Sequence, residues 1–152
     1  MVIDRLRVSV PVLAMPLTAD GLFPVPPFSG PVDPKWSAAW WRDGARPGSG
    51  KGMVHLDVHT YTAGGAIGNL LGASARAGDV IKLVDGRGRA TACYQIVRIE
   101  TWTVAEVTAR LGQVSRTTGA AGLAVEFCWE SPRRWGDHQW RLRRYLIATP
   151  IA

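Results

Sequence analysis

Residues 54–61, VHLDVHTY, together with 124–129, AVEFCW, and 141–149, RLRRYLIAT, are the stretches on which the reading of this chain turns. Each is an apolar, strand-like run that delivers one chemically active side chain near an end: a histidine (His55 or His59), Cys128, and an arginine (Arg141, Arg143 or Arg144), in that order. A thiolate attacks a carbonyl carbon, an imidazole moves protons, and a guanidinium stabilises developing negative charge. These are the parts needed for acyl transfer through a thioester. No other set of residues in the chain makes so complete a reaction.

Working outward from these runs, the rest of the chain reads as short strands divided by turns. Residues 5–17 are extended, with Val8, Val10 and Val12 alternating against Arg7, Ser9 and Pro11. Pro11 cannot donate to a ladder and confines this strand to an edge or a bulge. Residues 20–34, DGLFPVPPFSGPVDP, are loop. Asp33 as N-cap and Pro34 as first helical residue predict a short helix through Trp41, with Trp36 and Trp40 on one face docking it. An aromatic binding platform is the alternative for that pair.

Residues 44–52, GARPGSGKG, imitate a phosphate-binding loop and fail as one. Ala45 stands where the first Gly belongs, and Gly52 replaces the hydroxyl that would hold magnesium. Strands are expected over 53–60 and 80–84, and a hairpin turn at Asp85-Gly86-Arg87-Gly88 feeds a strand over 90–99. Thr103 and Glu106 form a capping box that starts a helix over 104–111. A turn at 119–122 precedes a strand over 123–128, a polar loop covers 129–139, and a last strand runs over 141–149. Many short strands with few small helices imply a closed or nearly closed β-barrel.

A chain of 152 residues fits one domain, 1–152, with enough length to bury a core. The net charge of +6 speaks to solubility and association, and it is compatible with a basic protein at an anionic surface. No apolar run approaches the roughly 18 residues needed to cross a bilayer, and no cleavable signal is visible. Of the 18 basic residues only Lys35, Lys51 and Lys82 are lysine, an arginine bias that marks a GC-rich genome. Cys93 and Cys128 are read as two free thiols, because a disulfide would consume the nucleophile.

The order and spacing of these motifs resemble the sortases, the cysteine transpeptidases of Gram-positive cell surfaces. The resemblance covers most of the chain. Pro47-Gly48 and Gly50 ahead of a strand ending in His59-Thr60 are similar to the family's Gly-rich approach to its histidine. Ala66-Ile67-Gly68-Asn69-Leu70-Leu71 and then Gly78-Asp79-Val80-Ile81 resemble the short helix and strand start that follow it. Tyr94-Gln95-Ile96-Val97 looks like the family's next strand, and Arg143 stands before an apolar run ending in Ala148-Thr149 as the family's arginine does. The chain departs from the pattern at Val58, where the family has Gly before the histidine, and at Phe127, where it has Thr before the cysteine.

The resemblance implies a mainly β fold, a closed eight-stranded barrel with a few short flanking helices. It also implies the site: Cys128 as nucleophile, His59 as acid and base, Arg143 as the charge that holds substrate and oxyanion. Arg141, Phe127 and Trp129 are the expected substrate-binding neighbours. The arginine bias directs the resemblance toward the actinobacterial classes E and F.

The remaining candidates are weighed against these. His55, Asp57 and His59 alternate along one strand and share a face. His55 and His59 lie roughly 13 Å apart at ~3.3 Å per residue, so one zinc ion with bonds of ~2.0–2.1 Å cannot bridge them, and no metal is expected. Asp57, roughly 6.6 Å from His59 along the strand, is too far for an assured contact, and His55 is read as a core or barrel-surface residue. Arg144 points away from Arg141 and Arg143 and reads as surface; Cys93 reads as packing and His138 as solvated. A positive neighbour lowers a thiol's pKa, so Arg143 is expected to enrich Cys128 thiolate. Phe127 points opposite to Cys128 and fills the barrel interior.

The reading is therefore a transpeptidase that cleaves an LPXTG-like sorting signal between Thr and Gly. It passes the acyl group through Cys128 to an amine nucleophile such as a peptidoglycan precursor or a pilin lysine, with no cofactor. The expected location is the extracellular side of the membrane behind an anchor ahead of residue 1, or the cytoplasm for an unanchored or phage-encoded form. Two rivals stand beside it. One is a sortase fold with little or no activity, kept as a binding or structural module. The other is a basic β-barrel that binds nucleic acid, a partner not expected here, whose affinity would fall steeply with salt.

Overall fold

The computed structural model describes residues 1–129 and 140–151. In chain order the strands are β1 (Val2–Ile3), β2 (Val8–Ser9), β3 (Val12–Met15), β4 (Ala38–Trp41), β5 (Lys51–Val58), β6 (Val80–Val84), β7 (Ala90–Thr103), β8 (Arg116–Ala120), β9 (Gly122–Trp129) and β10 (Leu142–Ile151). Helix α1 (Ile67–Ser74) follows β5 and α2 (Val104–Val114) follows β7. All ten strands join one sheet in the order β2-β1-β6-β7-β10-β9-β5-β4-β3, with β8 paired to β5 beside this path. Its two ends, β2 and β3, are separated in sequence only by Val10 and Pro11. The sheet must curl until its edges meet, and the chain crosses the seam at Pro11. Eight of the ten strands have four residues or more; β1 and β2 are two-residue pieces of the segment at the seam.

The core explains why the central runs are so apolar. Alternate residues of β5, β9 and β10 (Val54, Leu56, Val58, Leu123, Val125, Phe127, Leu146 and Ala148) fill the barrel interior. The opposite face is buried too: Met53, Ala124, Tyr145 and Ile147 pack with Trp102 and Val114 beneath α2. A strand covered on both faces loses its polar phase. Glu126 therefore stands out as a carboxylate in the middle of a two-sided apolar run.

Four expectations are corrected. The N-terminal strand is broken by a 3-10 turn at Asp4–Leu6, which ends with Arg7 in the left-handed region at φ 54°. Asp33 does cap, accepting from the Lys35 amide at 2.9 Å, but only a 3-10 turn over Pro34–Trp36 follows. Residues 38–41 form β4 instead of a helix, so Trp36 and Trp40 share no helical face. Ala38 and Ala39 are fully buried between β3 and β5, and pairing on both sides overrides the local helix signal. The turn expected at 119–122 hides β8, a polar edge strand with no apolar alternation to announce it. Finally, α2 runs three residues past its expected end, to Val114. No helix among the described residues is long and apolar enough to cross a membrane.

Candidate active site

Strand pairing brings the distant residues together. β9 and β10 are antiparallel with Cys128 directly opposite Arg143 and Glu126 opposite Tyr145. β5 runs parallel to β9 with Asp57 beside Glu126 and His55 beside Ala124. Because alternate side chains share a face, His55, Asp57, Glu126, Cys128, Arg143 and Tyr145 all project from the barrel's outer surface. His59 lies just beyond the end of β5. Its position is fixed by Thr60, whose hydroxyl donates to the Cys128 carbonyl at 2.6 Å, and by the Gly68 amide, which donates to the His59 carbonyl at 2.9 Å. A Cβ at Gly68 would sit 2.3 Å from Thr60 Oγ1 and 2.5 Å from the His59 carbonyl oxygen, so α1 can close on this corner only with glycine there.

His59, Cys128 and Arg143 line one groove of about 700 Å³. Leu22, Phe23, Val25 and Phe28 from the 20–34 loop form one wall, and Val104, Val107 and Leu111 from α2 form the other. Both walls are apolar, and Phe28 (74 % exposed) and Leu22 (64 %) project at the rim. The loop reaches the site itself. His59 Nε2 lies 2.7 Å from the Pro26 carbonyl, which can only accept, so Nε2 donates; the Phe28 ring stacks on the imidazole at 4.9 Å. Sequence reading treated these residues as a plain loop. The signal it offered was the PVPPF run at 24–28, a stretch too stiff in φ to serve as a mere tether.

Burial pushes the Cys128 thiol up from its ordinary pKa; Arg143 opposes this, and Asp57 and Glu126 add to the rise. The net direction reverses the expectation that Arg143 would enrich thiolate, because burial outweighs the pull of the guanidinium and the two carboxylates add to it. Arg143 Nη1 donates to the Trp140 and Leu142 carbonyls at 2.9 and 3.1 Å, and its Nε lies 3.7 Å from Glu126 Oε1. Glu126 Oε2 lies 3.3 Å from His55 Nε2, and His55 Nδ1 donates to the Val114 carbonyl at 3.2 Å. The Phe23 ring stacks on His55 at 3.9 Å. Burial raises the Asp57 carboxyl well above its ordinary value, and the Glu126 charge raises it further against the pull of Arg143.

His55, Asp57 and Glu126 each offer a ligand atom, all within 4.8 Å of one another. This is a different trio from the His55–His59 pair weighed in the sequence. Glu126 Oε1 faces the Arg143 guanidinium, which supplies a positive charge of the kind a divalent ion would bring, while His55 Nε2 beside Oε2 makes no hydrogen bond among the described residues. The arrangement is a salt-bridged support for Arg143. From the sequence, His55 is expected in the core or on the barrel surface and Asp57 too far from His59 for an assured contact, and Glu126 is passed over.

Two expected substrate contacts face the other way. Phe127 is fully buried in the barrel interior. Trp129 packs on α1, where a Cβ at Gly72 would come within 1.5 Å of its ring. Arg144, read as surface, is half-buried on that same side: it donates to the Gly72 carbonyl at 3.1 Å and lies 4.3 Å over the Trp129 ring. Arg141 is exposed one residue ahead of β10 and does not line the groove; Trp140 does. Cys93 is half-buried in β7, and both cysteines are free thiols. His138 lies outside the described residues.

No protein-family model and no curated protein matches the sequence. Solved structures do match in fold. Sortase A of Listeria monocytogenes superposes with a TM-score of 0.63 at 16 % identity, over 99 % of this chain and 83 % of that one. Sortase C1 of Streptococcus agalactiae, in complex with MTSET, gives 0.65 at 12 % identity, over 99 % and 66 % of the two chains. A sortase D5 transpeptidase of Clostridium perfringens gives 0.58 at 14 % identity, over 99 % and 76 %. The chain has the sortase fold.

Proposed function

We propose that this protein is a sortase-type cysteine transpeptidase with Cys128, His59 and Arg143 as its reacting groups. The observation that carries the proposal is the register of β9 on β10. It sets Arg143 directly across from Cys128 at the mouth of a groove that His59 shares, with Thr60 tying His59's corner to the Cys128 backbone.

In this reading an extended peptide with an LPXTG-like signal lies between the apolar walls and displaces the 20–34 loop from His59. The Cys128 thiol passes its proton to His59 as the sulfur attacks the Thr carbonyl carbon, and the oxyanion forms beside Arg143. The C–N bond to Gly breaks as His59 protonates the leaving amine. An incoming amine then loses its proton to His59 and attacks the thioester, which releases Cys128 and forms the new amide. The partners are thus a surface protein's sorting signal and an amine from a peptidoglycan precursor or a pilin lysine, met on the extracellular side of the membrane. The arginine-rich composition favours an actinobacterial class E or F enzyme.

Incubation with a library of sorting-signal peptides followed by intact-protein mass spectrometry tests the proposal. It requires a thioester adduct on Cys128, of the mass of the peptide cleaved after Thr. A second reading, a sortase fold with little or no activity, draws on the Pro26 carbonyl and Phe28 ring that occupy His59 and on Val58 and Phe127. Absence of any adduct across the library would favour it.

A further inference from the structure

The outer face of β5, β9 and β10 carries buried groups behind Arg143 (His55, Asp57 and Glu126) to which the proposed reaction gives no role. His55, 1 % exposed, is held by the Val114 carbonyl at the C-terminal end of α2 and turns Nε2 toward Glu126 Oε2 at 3.3 Å. His55 Nε2 itself makes no hydrogen bond among the described residues. The other Glu126 oxygen lies 3.7 Å from Arg143 Nε. Arg143 sits opposite Cys128, and Cys128 is two residues from Glu126 on the same face of β9. Asp57 stands beside Glu126 from β5.

We propose that Glu126 is a positioning residue that divides the Arg143 guanidinium between its own carboxylate and the Cys128 sulfur. The proposal rests on the reading of Cys128 and Arg143 as the reacting pair. Among the described residues, the charged or titratable groups facing Cys128 and Glu126 are Arg143 and Tyr145 from β10, Asp57 and His55 from β5, Glu126 from β9 itself, and His59 and Tyr61 along the groove. The 20–34 loop and α2 line the groove with Leu22, Phe23, Val25, Val104, Thr108 and Leu111, none of which titrates. Two carboxylates thus compete with one sulfur for one fixed cation. Neutralising Glu126 removes a negative charge from beside the thiol and releases the guanidinium toward it, and both effects favour thiolate. Asp57, freed of its neighbour's charge, ionises more readily and takes back part of the gain.

The test is the pH dependence of Cys128 alkylation by iodoacetamide, read by mass spectrometry without any peptide, with Cys93 in the same molecule as reference. Glu126→Gln should lower the Cys128 midpoint by about 0.5 pH unit, and adding Asp57→Asn should bring the shift to about one unit, or about tenfold faster alkylation at pH 7. Glu126→Asp should restore the wild-type midpoint, and Arg143→Gln should move it upward. A merely loosened fold relieves burial in every variant and moves all midpoints down, with Cys93 changing alongside. If Glu126→Gln does not fold, Asp57→Asn and Arg143→Gln alone must still move the midpoint in opposite directions. An unmoved or raised midpoint in Glu126→Gln, or downward shifts in both Glu126→Gln and Arg143→Gln, would overturn the proposal. Since alkylation needs no turnover, the expected shifts in a protein that forms no thioester would sink the transpeptidase reading alone.

Discussion

Replacing Phe127 by Thr restores the residue that sortases carry before their cysteine, and the structure says what it would do here. The ring is fully buried, belongs to the main core cluster and meets Trp129 edge-on at 6.2 Å. Removing a buried Phe side chain costs about 3–5 kcal/mol through lost transfer energy and the residual cavity. Threonine's methyl and hydroxyl refill part of that volume, but the hydroxyl is then buried among aliphatic neighbours, a penalty of about 1–3 kcal/mol unless it finds a carbonyl. The two corrections roughly cancel, so the loss should be about 3–5 kcal/mol. At ~2–4 °C per kcal/mol for a chain of this size, Tm should fall by about 6–20 °C. Differential scanning calorimetry of the two proteins in the same buffer reads this directly. Because residue 127 points away from the groove, turnover per folded molecule should not rise. A Phe127→Thr protein melting within about 2 °C of wild type would show that the ring is not packed as described.

His59→Ala and Arg143→Ala should each lower kcat/KM by at least ~10²-fold, the usual scale for a lost proton-transfer group or oxyanion donor, while Arg144→Ala should act on Tm through Trp129 and α1; equal loss of activity from Arg144→Ala would contradict the assignment. Gly68→Ala should drive a methyl into Thr60 and the His59 carbonyl, costing about 1–3 kcal/mol and lowering activity with it, as melts and turnover on one sample would show. Arg5, hydrogen-bonded to the buried Asp79 carboxylate, holds that carboxyl below its ordinary pKa. Its contribution is therefore complete above the unfolded value of ~3.9 and is lost as pH falls through the lower folded value. Tm measured across this acid range should drop more steeply for wild type than for Asp79→Asn, and parallel curves would refute it.

The strands and their reacting ends were legible because each run is apolar and ends at a polar residue, and β6 and the Thr103 capping box were read to the residue. Partnership was not legible. Nothing local to residues 124–129 or 141–149 states that Cys128 faces Arg143, since register depends on a ladder across intervening chain. The 34–41 helix failed because Asp33 and Pro34 truly start a turn, and only burial of Ala38 and Ala39 between two strands ends it. The substrate contacts failed for a related reason: adjacency in sequence to Cys128 puts Phe127 and Trp129 on the opposite face of β9. Glu126 could have been found, since a carboxylate inside a run buried on both faces needs a partner.

In the proposed transpeptidase, Cys128, and not Cys93, carries the acyl group. The most direct measurement is ligation of a sorting-signal peptide to a small amine, followed by chromatography, in wild type, Cys128→Ala and Cys93→Ala. Product is expected from wild type and Cys93→Ala and none from Cys128→Ala, with the Cys128→Ala protein still folded by its melt. Product from Cys128→Ala, or its loss in Cys93→Ala alone, would contradict it.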